Sequence, residues 1–335
     1  MGIMEPYKIK NVLFQNRVVM APMVPFGMPQ LPSGVMSNTL KQHYLDRAKN
    51  GMGLMISQSM SVTKKRQNAG GASIYANEHV DNLRDIASAC HEHGTKLFVQ
   101  LAYPSDGHQN GESINRLTAK ELEEITDEFA KAAHLCKVAG CDGIELHGAH
   151  GYFLNMFTSV IANERTDNYG GDLDGRLYLV RNIIDKIGSF LDEDFIVSYR
   201  MGLSGDGTMD IQTAQALEAL GVEMLHVSSG IPASEQIKVP ENFPYNSIVF
   251  SGTEIKKHVN IPVIVVNDIR TINRGNELLD KELCDFVAYG KPFLADHLFL
   301  SHSIDKADYQ SCFCCKTCFW FSNYTLCPAL KKSKG

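Results

Sequence analysis

Two stretches of the chain hold most of the side chains able to do chemistry. In HGAHGY an apolar run ends in His147, His150 returns after a Gly-Ala step, and Tyr152 stands just beyond. Two imidazoles so spaced can face one point and donate hydrogen bonds to a single carbonyl oxygen, stabilising charge that develops there. A phenol beside them can deliver a proton as general acid. Either histidine alone would more simply satisfy a buried carbonyl, but the pair with a tyrosine directly after an apolar run favours chemistry. The second stretch places Cys312, Cys315, Cys318 and Cys327 close in sequence, with Cys314 as a fifth thiol. Four thiolates suit a tetrahedral zinc or a [4Fe–4S] cluster, and spacing does not choose between them. The competing reading is a stapled tail packed by Phe319, Trp320 and Phe321.

The elements that must position these residues follow from hydrophobic pattern. Eight short, mostly continuous apolar runs read as strands covered on both faces: Val18–Met23, Leu54–Ser57, Leu97–Leu101, Gly143–His147, Phe195–Arg200, Met224–Ser228, Val263–Asn267 and Phe286–Tyr289. Segments of helical period lie between them. The clearest starts at Thr118, with Glu121 completing a capping box, and carries Leu122, Ile125, Phe129, Ala132, Ala133 and Cys136 on one face until Gly140. A second runs from Val80 to Gly94. Eight βα units in 335 residues, with no GxGxxG after any strand, predict an α/β fold of the (β/α)8 TIM barrel type rather than a doubly wound sheet. The barrel is expected over 1–300 and a short Cys-rich appendage over 301–335.

Such barrels work at the carboxy ends of their strands. There the sequence puts Pro22, Met23 and Val24, then Gln100, the His147–Tyr152 segment, Arg200, Ser228-Ser229, Asn267-Asp268 and Gly290-Lys291. At these residues the chain resembles the old yellow enzyme family. RVVMAPM, FVQLA, HGAHGYFLNMF and ANERTDNYGG, with Arg176 following, match its successive signature segments over the whole barrel.

The resemblance implies an FMN-dependent (β/α)8 oxidoreductase with NAD(P)H as electron donor. It implies FMN across the strand ends, with Pro22, Met23, Val24, Ser59 and Gln100 around the isoalloxazine ring and Ser229 in the same set. Arg200 would approach the N1–C2 edge, where a guanidinium stabilises the negative charge of a reduced flavin. Asn267, Gly290 and Lys291 would cradle the phosphate. His147 and His150 would hold a substrate carbonyl and Tyr152 would protonate the α-carbon of an alkene. The sequence departs from the family where Asn267-Asp268 replaces Gly-Gly, Lys291 replaces Arg, Val24 replaces Thr or Cys, and Tyr103 replaces His. Arg165 and Asp167 in ERTDNYGG are expected to pin the long loop after the fourth strand as an ion pair.

A branch of the family carries a Cys-rich segment just after the barrel, which inclines the reading of Cys312, Cys315, Cys318 and Cys327 to iron–sulfur over zinc. The larger members add a nucleotide-binding region after that segment. For this chain NAD(P)H is therefore expected to react at the barrel mouth or on a separate redox partner.

The expected function is ene-reduction of a small unsaturated substrate. The alternatives are an amine-type dehydrogenase passing electrons through the cluster, and a flavin-free barrel with a zinc-stapled interaction tail. With 32 Lys+Arg against 38 Asp+Glu the net charge is -6, which argues against a nucleic-acid partner. The longest apolar stretches, such as Pro262–Val266, fall far short of the roughly 20 residues that cross a bilayer. With no signal-peptide pattern at the amino terminus, a cytoplasmic protein is expected, assembled as a homo-oligomer.

Overall fold

A computed structural model describes residues 2–66, 71–105, 114–233 and 237–332. Eight parallel strands close into a barrel: β3 (Val18–Met20), β4 (Leu54–Ser61), β5 (Lys96–Ala102), β6 (Gly143–Gly148), β7 (Ile196–Leu203), β8 (Met224–Ser229), β9 (Val263–Val265) and β10 (Phe286–Tyr289). Strand β10 pairs with both β9 and β3, which completes the ring. Every strand read from the sequence is present. Helices α1 (Asn38–Ala48), α2 (Val80–Glu92), α3 (Ala119–Val138), α4 (Phe153–Thr158), α5 (Leu173–Gly188), α6 (Gly207–Ala219), α7 (Ser247–Lys256) and α8 (Ile272–Asp280) run between strands. The capping box of α3 forms, with Glu121 N donating to Thr118 Oγ1 at 3.2 Å and Thr118 N to Glu121 Oε2 at 2.8 Å.

One element was not legible. A hairpin of β1 (Tyr7–Ile9) and β2 (Val12–Phe14) closes the amino-terminal mouth of the barrel. Its strands are three residues each, and its turn, Lys10-Asn11 with Lys10 at φ 50°, lacks the Asn-Gly signal of such turns. Phe14 is fully buried and meets Phe98 edge-on at 6.1 Å and Phe286 at 5.3 Å. These rings join Val19, Leu54, Ile56, Ile196, Met224 and Ile264 in a dry plug inside the barrel. Filled from below, the barrel leaves only its other mouth for chemistry.

After β10 come α9 (Lys291–Ala295), α10 (Phe299–Ser303), the cysteine segment and α11 (Pro328–Lys332). The cysteine segment is held to α1 through Trp320, which is 4% exposed, meets the His43 ring at 5.7 Å and lies under the Arg47 guanidinium at 5.9 Å. Burial, then Arg47, holds the pKa of His43 well below the ordinary histidine value. The unfolded chain takes up that proton near pH 6.5, so the stability is complete above pH 6.5 and falls as the pH drops below it. The loss per neutral histidine is about 1.4 kcal/mol for each pH unit. His43 Nε2 is buried without a partner, so His43→Phe should fold. Urea unfolding at pH 7 and pH 5 should show a smaller acid loss in His43→Phe than in wild type. An equal loss would remove His43 from the pH dependence.

Candidate active site

Strand register sets the site. Gln100 on β5 lies beside Glu145 on β6, and one layer higher His147 on β6 lies beside Arg200 on β7, which lies beside His226 on β8. Residues two apart on a strand share a face, so Glu145 and His147 both point inward, one above the other. Glu145 is fully buried, with Oε1 accepting from Gln100 Nε2 at 2.7 Å and Oε2 facing His226 Nδ1 at 2.8 Å. Burial alone would raise its pKa, but His226, Arg200 and Gln100 together hold it below the usual carboxylate value. A buried anion thus sits beneath the Arg200 guanidinium and supports its positive charge.

The segment after β6 turns sharply, with His150 at φ 62° and Gly151 at φ 75°. That turn brings the His150 ring within 5.2 Å of His147 and sets Tyr152 as the residue that caps α4, its ring 5.5 Å from His147. His150 Nε2 and Arg200 Nη2 both reach Ser228 Oγ, at 2.8 and 3.3 Å. Lost solvation and the nearby Arg200 depress both histidines, His147 to about 3 and His150 further still. Both imidazoles are therefore neutral near pH 7, and a neutral imidazole donates one N–H without carrying charge. His147 Nδ1, Arg200 Nε and His226 Nε2 are buried with no hydrogen-bond partner in the protein. Unsatisfied buried nitrogens in one rim are costly unless a ligand engages them.

Two adjoining clefts, each of about 1230 Å³, open above this rim and share Pro22, Met23, His150 and Arg200. One is lined by Val24, Ser59, Gln100, His147 and Tyr152 in addition. The other adds Ser229, Asn267, Gly290 and Lys291. The residues anticipated for catalysis and for the cofactor thus line one continuous space.

The phosphate-end departures have a local account. Asn267 and Asp268 keep φ of 105° and 55°, the left-handed backbone that glycine adopts without strain. Asn246 Nδ2 donates to Asn267 Oδ1 at 3.1 Å and braces the turn. Arg270, which sequence reading missed, donates from Nε to Asp268 Oδ1 at 2.7 Å and lines the same cleft. Its signal was a cation two residues beyond an acid, indistinguishable in sequence from a solvated pair. The Arg165–Asp167 pair forms at 2.9 Å, and Arg165 also donates to the carbonyls of Ile114 and Leu117.

Cys312, Cys315, Cys318 and Cys327 are not gathered as ligands of a single ion. Among the described residues no group of three or more His, Cys, Asp or Glu side chains is placed to hold one. Cys315 is exposed while Cys327 is buried, and Cys314 turns the chain between them at φ 53°. All five thiols nonetheless line one cavity of about 410 Å³, walled by Leu294, Phe319 and Trp320. Lys291, Cys312 and Cys314 border both that cavity and the cleft. Among the described residues no helix is long and apolar enough to cross a membrane.

Residues 2–308 match the model of the NADH:flavin oxidoreductase / NADH oxidase family. The chain is 33% identical over 317 residues to an NADH oxidase of Thermoanaerobacter brockii, covering 86% of this chain and 48% of that protein. It is 32% identical over 314 residues to an NADPH dehydrogenase of Geobacillus sp., covering 87% and 90%. The chain therefore spans about half the length of the first relative and nearly all of the second. In fold it is similar to the old yellow enzyme homologue of Zymomonas mobilis, with a TM-score of 0.76 at 19% identity, covering 98% of this chain and 99% of that one.

Proposed function

The chain belongs to the NADH:flavin oxidoreductase / NADH oxidase family of FMN-dependent oxidoreductases, and from that premise we propose that it is an ene-reductase acting on an alkene conjugated to a carbonyl. The observation that carries the reading is the rim itself: two neutral imidazoles and a phenol on one side of a cleft, a buried guanidinium with an unpartnered Nε on its floor. FMN fits this donor set. Pro22, Met23, Val24, Ser59 and Gln100 would flank its ring, Arg200 would lie at its pyrimidine edge, and Ser229, Asn267, Gly290, Lys291 and Arg270 would hold the ribityl phosphate. When bound, FMN supplies hydride to the β-carbon of the alkene, after reduction by NAD(P)H.

His147 and His150 bind the substrate carbonyl oxygen through N–H donors, and their neutrality matters. An imidazolium would hand over its proton, whereas a neutral N–H stabilises the developing oxyanion without being consumed. Tyr152 holds its phenolic proton at the mouth of the cleft, where it can reach the α-carbon. Glu145 keeps the charge of Arg200 compensated at depth.

For the cysteine segment we propose a [4Fe–4S] cluster on Cys312, Cys315, Cys318 and Cys327, with Cys314 the replacement for Cys312. Zinc draws four sulfurs to about 2.3 Å from one centre. Here the thiols instead surround a cavity of about 410 Å³, which suits a larger group. Such a group supplies one-electron transfer, and its shared wall with the cleft suits an exchange of electrons with a redox partner. Anaerobic purification followed by an absorption spectrum and assays of FMN, iron, acid-labile sulfide and zinc tests both assignments. One FMN with about four irons and four sulfides per chain is expected. Zinc in place of iron would overturn the cluster, and a protein that cannot be loaded with FMN would overturn the function.

A further inference from the structure

The substrate side of the cleft has a wall that the barrel does not supply. Phe26, from the loop after β3, and Phe321, from the cysteine segment, line it together with Tyr103 and Tyr152. The Phe26 and Phe321 rings stand 5.8 Å apart at 38°, yet Phe321 remains 58% exposed and Phe26 37%. Two large aromatic faces left open at a cleft mouth are apolar surface for a ligand to cover.

The position of Phe321 is set by backbone contact. A Cβ on Gly27 would lie 2.8 Å from the carbonyl oxygen of Ser322 and 2.9 Å from both Asn323 Cα and Tyr324 N. Only glycine there lets the loop after β3 meet the cysteine segment at this distance. On the other side Trp320 is anchored on His43 and Arg47, and Phe321 N donates to the carbonyl of Cys318 at 3.2 Å. One short segment thus carries Cys318 into the cysteine cavity and Phe321 into the cleft.

We propose that Phe321, paired with Phe26, is a specificity-determining residue that takes a flat aryl substituent of the unsaturated carbonyl compound. The cysteine segment is on this account part of the substrate site as well as a ligand-bearing tail. The inference rests on the ene-reductase reading. It separates a substrate's two ends: the carbonyl is held by His147 and His150, and the apolar group is selected by a residue at the far end of the sequence.

Two variants test it in the FMN-loaded full chain. Phe321→Ala removes the ring, and Gly27→Ala keeps the ring but forces the two backbones apart. The probes are 2-cyclohexen-1-one, too small to reach the wall, and trans-4-phenyl-3-buten-2-one, whose phenyl group would lie on it. Each is titrated against the visible flavin spectrum for Kd and assayed for KM and kcat, with Trp320 emission as a monitor of the segment. Both variants are expected to raise Kd and KM for the aryl enone about tenfold. Cyclohexenone constants should change less than twofold, and Trp320 emission should change in Gly27→Ala alone. An aryl-enone Kd unchanged in Phe321→Ala, or an equal loss for both enones, would overturn the proposal. Wild-type protein that binds the enones without reducing them would overturn the ene-reductase reading instead, and the ratio of Kd values would still decide the role of Phe321.

Discussion

Tyr152→Phe lowers the rate of enone reduction by about 10²–10⁴-fold, the range typical of a lost general acid, while FMN stays bound. The substitution keeps the ring that lies 5.5 Å from His147 and removes only the hydroxyl, so the cleft keeps its shape. Reduction of the flavin by NAD(P)H needs no proton from this position and should proceed at the wild-type rate. Stopped-flow measurement of the two half-reactions separates them. Unchanged enone turnover in Tyr152→Phe would remove the phenol from the mechanism.

The second large effect is expected at Arg200. Its Nε is buried and unpartnered, and its Nη2 reaches Ser228 at 3.3 Å, so most of its hydrogen-bonding capacity is unspent within the protein. A charge-assisted hydrogen bond contributes about 1.5–3 kcal/mol. Arg200→Met should therefore weaken FMN binding by about 10–150-fold on titration of the apoprotein. Glu145 keeps Gln100 and His226 as partners in the variant, so the fold should persist. Thermal unfolding of the apoproteins checks that point. Flavin affinity unchanged from wild type would remove Arg200 from the cofactor site.

The eight barrel strands were readable because both of their faces are buried, so Val, Ile and Leu crowd into short runs between helical segments. The rim was readable for a related reason. His147, Arg200 and Gln100 each interrupt an apolar run at or near the carboxy end of a strand, where a polar side chain has no packing role. The β1–β2 hairpin was not, since three-residue strands joined by Lys10-Asn11 carry no periodicity. Arg270 and the Glu145–His226 pair also escaped. Their partners lie far apart in sequence or resemble a surface ion pair, and only the register of β6 with its neighbours brings Glu145 under Arg200. Phe321 was read as packing within the tail; that it lines the cleft depends on a backbone contact at Gly27 that no pattern records.

Anaerobic mixing of the photoreduced, FMN-loaded protein with 2-cyclohexen-1-one, followed at the visible flavin band with product analysis, tests the central claim most directly. The account predicts rapid reoxidation of the flavin with one cyclohexanone formed per flavin. A flavin that stays reduced in the presence of the enone, yet is reoxidised by a one-electron acceptor such as ferricyanide, would contradict it.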